Sequence, residues 1–299
     1  MAQAIEFTKS SGSGNDFVCL DNRDGRHEAM LKDKARVAHF ARTICRRGLG
    51  VGADGVIFAG TPEIAGVADI AARFFEADGS EAELCGNGTA CFAHWAIAEG
   101  FVPDKEIGIL TDAGVVLASR VAPPYVRVCL PVPMNMQRDL EIVLDGYLCL
   151  CDFALVGVPH AVIYVDDVER ADVARIGPLL RHHKRFAPQG VNANFVQVLE
   201  PGKIALRTYE YGVEGETMAC GTGSAAAAML ATLRYRWQNL TCGRRPVEVL
   251  AHSGDTLRIY FTCDPDGSIV DPCLETVVRV AYRAVLADDL AAEALHVQH

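Results

Sequence analysis

The sequence predicts an α/β fold made of two duplicated, pseudo-symmetric domains. Three glycine-rich blocks of the first half recur in the same order in the second half, and short strand-like and helical runs accompany them at matching places. Glycine-rich turns resemble one another by chance, but three ordered matches with slowly drifting spacing indicate a duplication. We therefore expect two halves of similar fold that face each other across a cleft.

The matched blocks define the two repeats. They pair residues 14–18 with 157–161, residues 50–54 with 190–194, and residues 85–90 with 220–225. This arrangement predicts a first domain over residues 1–128 and a second domain over residues 129–273.

Strands and helices are expected to follow the same order in both repeats. Short apolar runs bounded by Gly, Asp or Asn predict strands at 17–20, 56–59, 162–165 and 195–198, with later strands at 247–250 and 257–260. Helices are predicted over 33–46 and 173–181, and after each cysteine block over 89–99 and 224–237. Thr89 and Ser224 are expected to start these last two helices, and Gly100 to cap the first of them.

The composition is that of a soluble globular chain of two ordinary domains. Of the 299 residues, 50% are hydrophobic and 22% are charged. The net charge of −10 repels a phosphate backbone, so we expect no nucleic-acid partner. The first residues show no secretory pattern, and the apolar run 225–233 is too short to span a bilayer. We therefore expect a cytoplasmic protein without a membrane partner, in which the eleven cysteines are reduced thiols.

The sharpest chemical signal is a Cys-Gly-x-Gly turn that opens a helix in each repeat, at Cys85 and at Cys220. Glycines allow a tight turn whose backbone N–H groups reach a ligand, and the positive end of the helix dipole favours a carboxylate. The same field lowers the pKa of a cysteine thiol. A single such turn is more often a packing feature, but the matched pair favours a functional site.

This arrangement suits inversion at the α-carbon of an amino acid. If the repeats pack face to face, both helix starts converge on one substrate carboxylate, and the two sulfurs flank the adjacent carbon. A thiolate on one face then abstracts the α-proton while a thiol on the other face donates one. Backbone donors around the carboxylate stabilise the developing negative charge.

The remaining cysteines are better explained by packing. Cys91, six residues beyond Cys85, is expected in the core. Cys149 and Cys151 alternate along a strand and point to the same face. We find neither C-x-x-C spacing nor matched histidines, so no metal site is predicted.

At these residues the sequence resembles the diaminopimelate epimerase family of cofactor-independent racemases and epimerases. The resemblance runs over nearly the whole chain and rests on blocks at 12–17, 50–54, 77–88, 157–160, 191–197 and 215–223. It implies two pseudo-symmetric α/β domains with the active site in the cleft between them. It also implies reversible conversion of L,L- to meso-diaminopimelate without pyridoxal phosphate or another cofactor, on the route to lysine and peptidoglycan. A strand around 274–286 is expected to return to the first domain, and a homodimer is expected by analogy.

The resemblance also assigns roles to individual residues. Cys85 and Cys220 are the paired base and acid, and His160 is an orienting residue, although a structural histidine explains this position equally well. The residues assigned to the carboxylate cradle or to the lining of the substrate site are Asn15, Gly86, Asn87, Asn192, Glu210, Gly221 and Thr222.

Three positions depart from the family pattern. Glu76 stands where the family usually has Asn, Tyr211 where it usually has an arginine that binds the distal carboxylate, and Val158 where Asn is common. Tyrosine cannot supply the bidentate contact of arginine, and Glu76 adds a negative charge. Arg73 and Arg207 are candidate replacements for the missing arginine, and Arg73 is also a candidate salt-bridge partner of Glu76.

Two alternatives to a diaminopimelate epimerase remain, one raised by these departures and one by the paired cysteines. The first is a racemase of the same mechanism for a basic amino acid such as lysine, ornithine, arginine or histidine, because Glu76 would pair with a distal cation. Under this alternative we expect weak activity on diaminopimelate. The second is a thiol-redox or non-catalytic binding protein, in which the paired cysteines form a disulfide.

Overall fold

The computed structural model describes residues 4–264, 266 and 268–296. The chain divides into two compact units, which are described separately. Unit 1 comprises Met1–Val128 and Val278–His299, and unit 2 comprises Cys129–Val277.

The N-terminal part of unit 1 starts with two strands and ends with three consecutive strands. In chain order they are β1 (Glu6–Gly12), β2 (Asn15–Asp21), α1 (Glu28–Leu31), α2 (Lys34–Cys45), β3 (Gly55–Gly60), β4 (Ile70–Glu76), β5 (Glu81–Ala82), α3 (Gly86–Ala98), β6 (Ile107–Thr111), β7 (Gly114–Arg120) and β8 (Tyr125–Cys129).

The later part of the chain repeats this order. Its elements are β9 (Met134–Leu144), β10 (Tyr147–Val156), β11 (Val158–Tyr164), α4 (Val173–Arg181), a short 3-10 turn (Lys184–Phe186), β12 (Asn192–Glu200), β13 (Lys203–Glu210), β14 (Gly215–Thr217), α5 (Gly221–Arg234), α6 (Gln238–Thr241), β15 (Val247–Ala251), β16 (Thr256–Cys263), β17 (Ile269–Val285) and α7 (Asp288–Leu295).

The sheet of unit 1 winds around helix α3. Its strands pair in the order β17–β1–β2–β3–β4–β6–β7–β8, in which the β2–β3 and β4–β6 pairs are parallel. Strand β8 pairs with β17, and the Val278 N–H donates to the Pro124 carbonyl at 3.0 Å. Helix α3 contacts β1, β2, β3 and β7 and so lies inside this sheet.

Unit 2 repeats the same topology around helix α5. Its strands pair in the order β9–β10–β11–β12–β13–β15–β16–β17, and the β11–β12 and β13–β15 pairs are again parallel. Helix α5 contacts β9 to β13, β15 and β16. Strands β10 to β16 match β1 to β7 one for one, and α4 and α5 match α2 and α3, so the predicted duplicated α/β fold is confirmed.

Two apolar layers explain the sequence patterns in unit 1. Phe17 and Cys19 point inward to a core that contains most of α3, while the alternate residues Val18 and Leu20 point outward beneath α2 and α7. Strands buried on both faces read as continuous apolar runs. Because α3 is enclosed, it is apolar around nearly its whole circumference, and in unit 2 the alanine-rich α5 is enclosed in the same way.

The two central helices begin earlier than predicted. Helix α3 starts at Gly86 and α5 at Gly221, so Thr89 and Ser224 are not the starting residues; Cys85 and Cys220 are the N-caps. The Cys-Gly-x-Gly block therefore lies in the first helical turn instead of in a loop before it. The outer helices agree with prediction, since α2 follows the N-cap Asp33 and α4 covers Val173–Arg181.

The expectation that all cysteines are reduced is wrong at one pair. Cys242 and Cys263 form a disulfide in unit 2, between the end of α6 and the end of β16. Cys91 is fully buried in the core as expected, and burial raises the pKa of its thiol to about 12. Cys149 and Cys151 both pack toward one core of unit 2. Among the described residues, no helix is both long and apolar enough to cross a bilayer.

Candidate active site

Cys85 caps the N-terminus of α3 in unit 1. Its sulfur accepts a hydrogen bond from the Gly88 N–H at 3.4 Å, and its carbonyl accepts one from the Thr89 N–H at 2.7 Å. The thiol donates to Oδ1 of Asn15 over 3.7 Å. Asn87, in the first turn of the helix, is buried. The structure thus brings Asn15, Gly86, Asn87 and Cys85 together at one helix start.

Asn15 is tied to a cluster of charged side chains in the same unit. Its Nδ2 donates to Oδ2 of Asp54 at 2.8 Å. Arg47 bridges Asp54 at 2.8 Å and Asp16 at 2.6 Å, and the buried Lys9 pairs with Asp16 at 2.7 Å. Burial raises the pKa of Asp16, but the hydrogen bonds and charges of Arg47 and Lys9 outweigh it, so this pKa lies below its ordinary value.

Cys220 caps α5 in unit 2 with the same geometry. Its sulfur accepts from the Gly223 N–H at 3.4 Å and lies 3.8 Å from Oγ1 of Thr222. The residue is only 6% exposed. Gly223 cannot carry a side chain here, because a Cβ would meet Oδ1 of Asn194 at 2.5 Å and the Cys220 sulfur at 3.1 Å.

His160 contacts the second cysteine turn through Thr222. Its Nε2 lies 3.0 Å from Oγ1 of Thr222, and its Nδ1 lies 3.3 Å from Nδ2 of Asn194. The Asn194 amide nitrogen, which also donates to the Ala161 and Asn192 carbonyls, can only donate, so Nδ1 is unprotonated and Nε2 donates its proton to Thr222. Full burial lowers the pKa of His160 to about 3, so the imidazole is neutral. The neutral imidazole leaves the Thr222 hydroxyl able to donate toward sulfur.

Tyr211 lies next to this network. Its backbone N–H donates to Oδ1 of the buried Asn192 at 2.7 Å, and Asn192 pairs with His160 across β11 and β12. The guanidinium of Arg181 stacks on the Tyr211 ring, with 4.3 Å between its central carbon and the ring centroid. Arg181 is itself held by Glu214 at 3.1 Å. The backbone hydrogen bond and the stacked guanidinium hold Tyr211 in place, although the residue is 55% exposed.

Glu210 precedes Tyr211 and accepts a hydrogen bond from the Thr217 hydroxyl. Thr217 belongs to β14, three residues before Cys220. The contact therefore ties the end of β13 to the segment that leads into the cysteine turn. Val158 starts β11 and is 36% exposed.

Glu76 ends β4, opposite Gly55 in the register with β3. The adjacent Ala77 N–H donates to the Asp54 carbonyl at 3.1 Å, so Glu76 lies at the same strand ends as Asp54. Arg73 does not serve as its salt-bridge partner in the structure, because Arg73 pairs with Glu81 at 2.6 Å.

Neither of the two arginines expected to replace a distal-site arginine is available. Arg73 also donates to the Leu31 carbonyl at 3.1 Å. Arg207 forms a two-pronged ion pair with Glu216 at 2.6 and 2.8 Å and donates to the Val168 carbonyl. Both guanidinium groups are thus committed to structural contacts.

Sequence reasoning missed the side chains behind the site, above all Asp54, Asn194 and Arg181. A signal for the first two was present, because Asp54 and Asn194 occupy matching positions in the blocks 50–54 and 190–194. Arg181 gave no such signal. Within the described ranges, no group of three or more His, Cys, Asp or Glu side chains is arranged to hold a metal ion.

The chain matches the family model described as diaminopimelate epimerase over residues 7–123 and 153–260. It is 40% identical over 262 residues to the diaminopimelate epimerase of Aquifex aeolicus (strain VF5), which covers 87% of this chain and 91% of the relative. It is 39% identical over 261 residues to the diaminopimelate epimerase of Hydrogenobaculum sp. (strain Y04AAS1), with 86% and 91% covered.

Among solved structures, the fold is similar to that of a probable proline racemase from Agrobacterium radiobacter K84. The TM-score is 0.71 at 17% identity, and the match covers 95% of this chain and 93% of the other. At this level of identity the likeness concerns the fold alone.

Proposed function

We propose a function from the premise that the chain belongs to the diaminopimelate epimerase family: it is an isomerase that converts L,L-diaminopimelate to meso-diaminopimelate. The relatives at 40% and 39% identity support this substrate. They do not support the racemase of a basic amino acid that the departures at Glu76 and Tyr211 suggested, nor the thiol-redox or binding protein that the paired cysteines left open. The expectation of weak activity on diaminopimelate is therefore withdrawn.

We propose Cys85 and Cys220 as the paired acid and base. The observation that carries this proposal is that each sulfur caps the buried central helix of its own repeat, at matching positions. One cysteine, as thiolate, takes the α-proton of the substrate. The other, as thiol, gives its proton to the opposite face of the planar carbanion, so that one proton is removed and one is added.

The carboxylate next to the reacting carbon is assigned to the first turns of α3 and α5. Backbone N–H groups in the first turn of a helix have no partner within the helix and bind anions. Gly86 and Asn87 provide them in unit 1, and Gly221 and Thr222 in unit 2. Negative charge that develops on the carboxylate in the transition state is stabilised there. The mechanism requires no cofactor.

The other end of the substrate is assigned to Asn192, Glu210 and Tyr211, with Glu76 as a further contact. Support for Tyr211 comes from its fixed backbone and from Arg181 beneath its ring. A phenol hydroxyl donates one hydrogen bond to a carboxylate, and the guanidinium stacked on the ring holds the tyrosine in place.

We also propose that the protein acts in the cytoplasm as a homodimer. Nine free cysteines among the described residues support a reducing compartment, although the Cys242–Cys263 disulfide does not. The hairpin of β9 and β10 exposes the apolar side chains of Val143, Tyr147 and Leu148, which supports a face for a second copy. Sedimentation analysis of the purified chain tests the dimer.

The test of the function is solvent-deuterium uptake at the α-carbon of L,L-diaminopimelate, followed together with formation of the meso isomer. Cys85→Ala and Cys220→Ala are each expected to lower the rate of epimerisation by a factor on the order of 10² to 10⁴. Cys149→Ala removes a half-buried thiol away from the helix starts and serves as the matched control, with turnover close to that of the parent chain.

Two results would overturn the proposal. Near-normal turnover by Cys85→Ala or Cys220→Ala would contradict the two-base mechanism. Deuterium uptake into lysine, ornithine, arginine or histidine, with none into diaminopimelate, would contradict the assignment of the substrate.

A further inference from the structure

The carboxylate of Asp54 joins Asn15 to the charged cluster of unit 1. Its Oδ2 accepts from Asn15 Nδ2 at 2.8 Å and from the Asp16 backbone N–H at 3.0 Å, and its Oδ1 accepts from Arg47 at 2.8 Å. Donors therefore face both of its oxygens, and the carboxylate is held in one orientation.

This arrangement determines which end of the Asn15 amide faces sulfur. An ionised carboxylate only accepts hydrogen bonds, so the NH₂ group of Asn15 must face Asp54. The carbonyl oxygen of the amide then faces Cys85, whose thiol donates to it over 3.7 Å. An acceptor beside a thiol favours the protonated form over the thiolate.

The matching position of the second repeat has different chemistry. Asn194, a neutral amide, stands where Asp54 stands in the first repeat, and it donates to His160 Nδ1. His160 in turn donates to Thr222, whose hydroxyl lies 3.8 Å from the Cys220 sulfur. In unit 1 sulfur thus faces an amide oxygen, and in unit 2 it faces a hydroxyl group that can donate.

We propose that Asp54 is a positioning residue which, through Asn15, keeps Cys85 in its thiol form, so that the resting enzyme holds Cys85 as the acid. The inference rests on the proposed function, because it treats Cys85 as one of the two reacting groups. Asp54 does not touch the substrate in this scheme; it acts only on the orientation of the Asn15 amide.

The isosteric variant Asp54→Asn tests this directly. An amide has one acceptor atom, so it cannot satisfy both Arg47 and the donors of Asn15 and Asp16. Asn15 is then free to turn its NH₂ group toward Cys85, which favours the thiolate. The alkylation of Cys85 and Cys220 by iodoacetamide is followed against pH on the full chain, with mass spectrometry of the two cysteine peptides. The midpoint for Cys85 is expected to fall by about one pH unit, while that for Cys220 stays unchanged.

Removal of the negative charge of Asp54 would by itself also lower the midpoint for Cys85. A double-mutant cycle with Asn15→Ala separates the two causes. If Asp54 acts through Asn15, Asp54→Asn shifts the midpoint far less in the Asn15→Ala background than in the parent chain. Equal shifts in both backgrounds would show a through-space charge effect and overturn the positioning role.

The other charged groups on elements around the Cys85 turn are the same in every arm of this cycle. They are Lys9 on β1, Asp16 on β2, Arg47 before β3, Glu76 at the end of β4 and Glu83 before α3. Asp16→Asn is the matched control, because it removes a carboxylate of the same cluster without touching the Asn15 amide. It is expected to move the Cys85 midpoint less than Asp54→Asn does, and an equal or larger shift would count against the proposal.

Turnover supplies an independent readout. Asp54→Asn is expected to lower kcat on diaminopimelate by about ten-fold, with KM changed by less than about two-fold, because a positioning defect at the acid affects the chemical step more than binding. A change confined to KM would overturn the proposal.

Two outcomes require a different comparison: a variant that does not fold, and a parent chain without epimerase activity. If Asp54→Asn does not fold, Asn15→Ala in the parent chain supplies the test: it removes the amide oxygen beside the thiol, so the Cys85 midpoint is expected to fall, and no fall would overturn the proposal. If the parent chain does not epimerise diaminopimelate, the proposed function fails, but the alkylation cycle still decides the role of Asp54.

Discussion

At the scale of single residues, burial determines the protonation state of His160. A fully buried imidazole with a pKa of about 3 is neutral at all ordinary pH values. Its one proton is on Nε2, where it is donated to Thr222. Desolvation therefore keeps the imidazole neutral, and the Asn194 amide beside Nδ1 fixes the tautomer that faces the second cysteine turn.

This burial predicts how stability depends on pH. The pKa of an unfolded histidine is about 6.5, so below that pH the unfolded chain binds a proton that the folded chain does not. The contribution of His160 to the free energy of unfolding is therefore fully present above about pH 6.5. It declines toward pH 3 by up to about 1.4 kcal/mol per pH unit.

Urea unfolding at a series of pH values measures this dependence. His160→Gln keeps a hydrogen-bonding side chain but cannot titrate, and it is expected to show a shallower fall in this range. Parallel curves for the two proteins would contradict the neutral, buried histidine.

Gly223 gives a second prediction at this scale. A Cβ at this position would meet Oδ1 of Asn194 at 2.5 Å. Gly223→Ala is therefore expected to displace Asn194 or the start of α5, to cost about 1–3 kcal/mol of stability and to reduce epimerisation strongly. Gly60→Ala is the control, because its Cβ would meet only Ala71 at an ordinary 3.8 Å. Thermal unfolding and initial rates compare the two, and an equally active Gly223→Ala enzyme would contradict the tight packing at this turn.

The two cysteines proposed to react can be singled out from the sequence, whereas the side chains that hold them cannot. Cys85 and Cys220 stand out because a short block recurs around each of them. The contact of Asp54 with Asn15 depends on the parallel pairing of β2 with β3, which joins residues far apart in the chain. The stacking of Arg181 on Tyr211 depends on where α4 packs. Local patterns do not contain this information.

At the scale of elements, the end of α5 carries a buried ion pair. Arg234, the last residue of the helix, binds both oxygens of Asp152 on β10, at 2.7 and 2.9 Å, and the Asp152 side chain is fully buried. An unpaired carboxylate at this position would be strongly unfavourable. Arg234→Met is therefore expected to lower the free energy of unfolding by about 3–5 kcal/mol.

The matched control is an arginine that also pairs with two aspartates but whose side chain is more exposed to solvent. Arg175 pairs with Asp145 and Asp172 on the surface of unit 2, with its side chain 55% exposed. Arg175→Met is expected to cost less than about 1 kcal/mol in the same denaturant titration. Similar losses for both variants would mean that the Asp152 pair is not the cause.

Element boundaries were predicted well where an ordinary capping residue marks them, as Asp33 does for α2. The predicted starts of α3 and α5, Thr89 and Ser224, lie three residues after the observed starts. The true caps are cysteines, which seldom cap helices, and two of the next three residues are glycines, which are poor helix formers. Enclosure inside the sheet provides the packing that makes these glycine-containing turns helical.

At the scale of the whole molecule, β17 is shared between the two units. Its pairing with β16 belongs to unit 2, and its pairing with β1 belongs to unit 1. We therefore expect the two units to unfold in one cooperative transition.

The two tryptophans allow a direct test, because Trp95 is buried in unit 1 and Trp237 is buried in unit 2. Trp95→Phe and Trp237→Phe each leave one reporter. Urea titrations followed by fluorescence are expected to give coincident transitions when each is compared with circular dichroism of the same variant. Two transitions at separate urea concentrations within one variant would show independent units.

The duplication could be predicted because it leaves recurrent blocks in the sequence, and the architecture follows from it. The Cys242–Cys263 disulfide could not be predicted, because its two cysteines lie in segments that belong to no matched block. They meet only when α6 packs beside β16.

The position of β17 near the end of the chain also affects how the first unit folds while the protein is being synthesised. A ribosome releases the N-terminal strands first, yet the segment that pairs with β1, residues 278–285, follows the entire second unit. Until that segment emerges, β1 presents an unpaired edge, and the core around α3 lacks Val278. The nascent chain thus carries an incomplete first unit throughout the synthesis of the second, a period in which exposed edges invite aggregation. We expect newly made chains to associate with chaperones until the last strand is added.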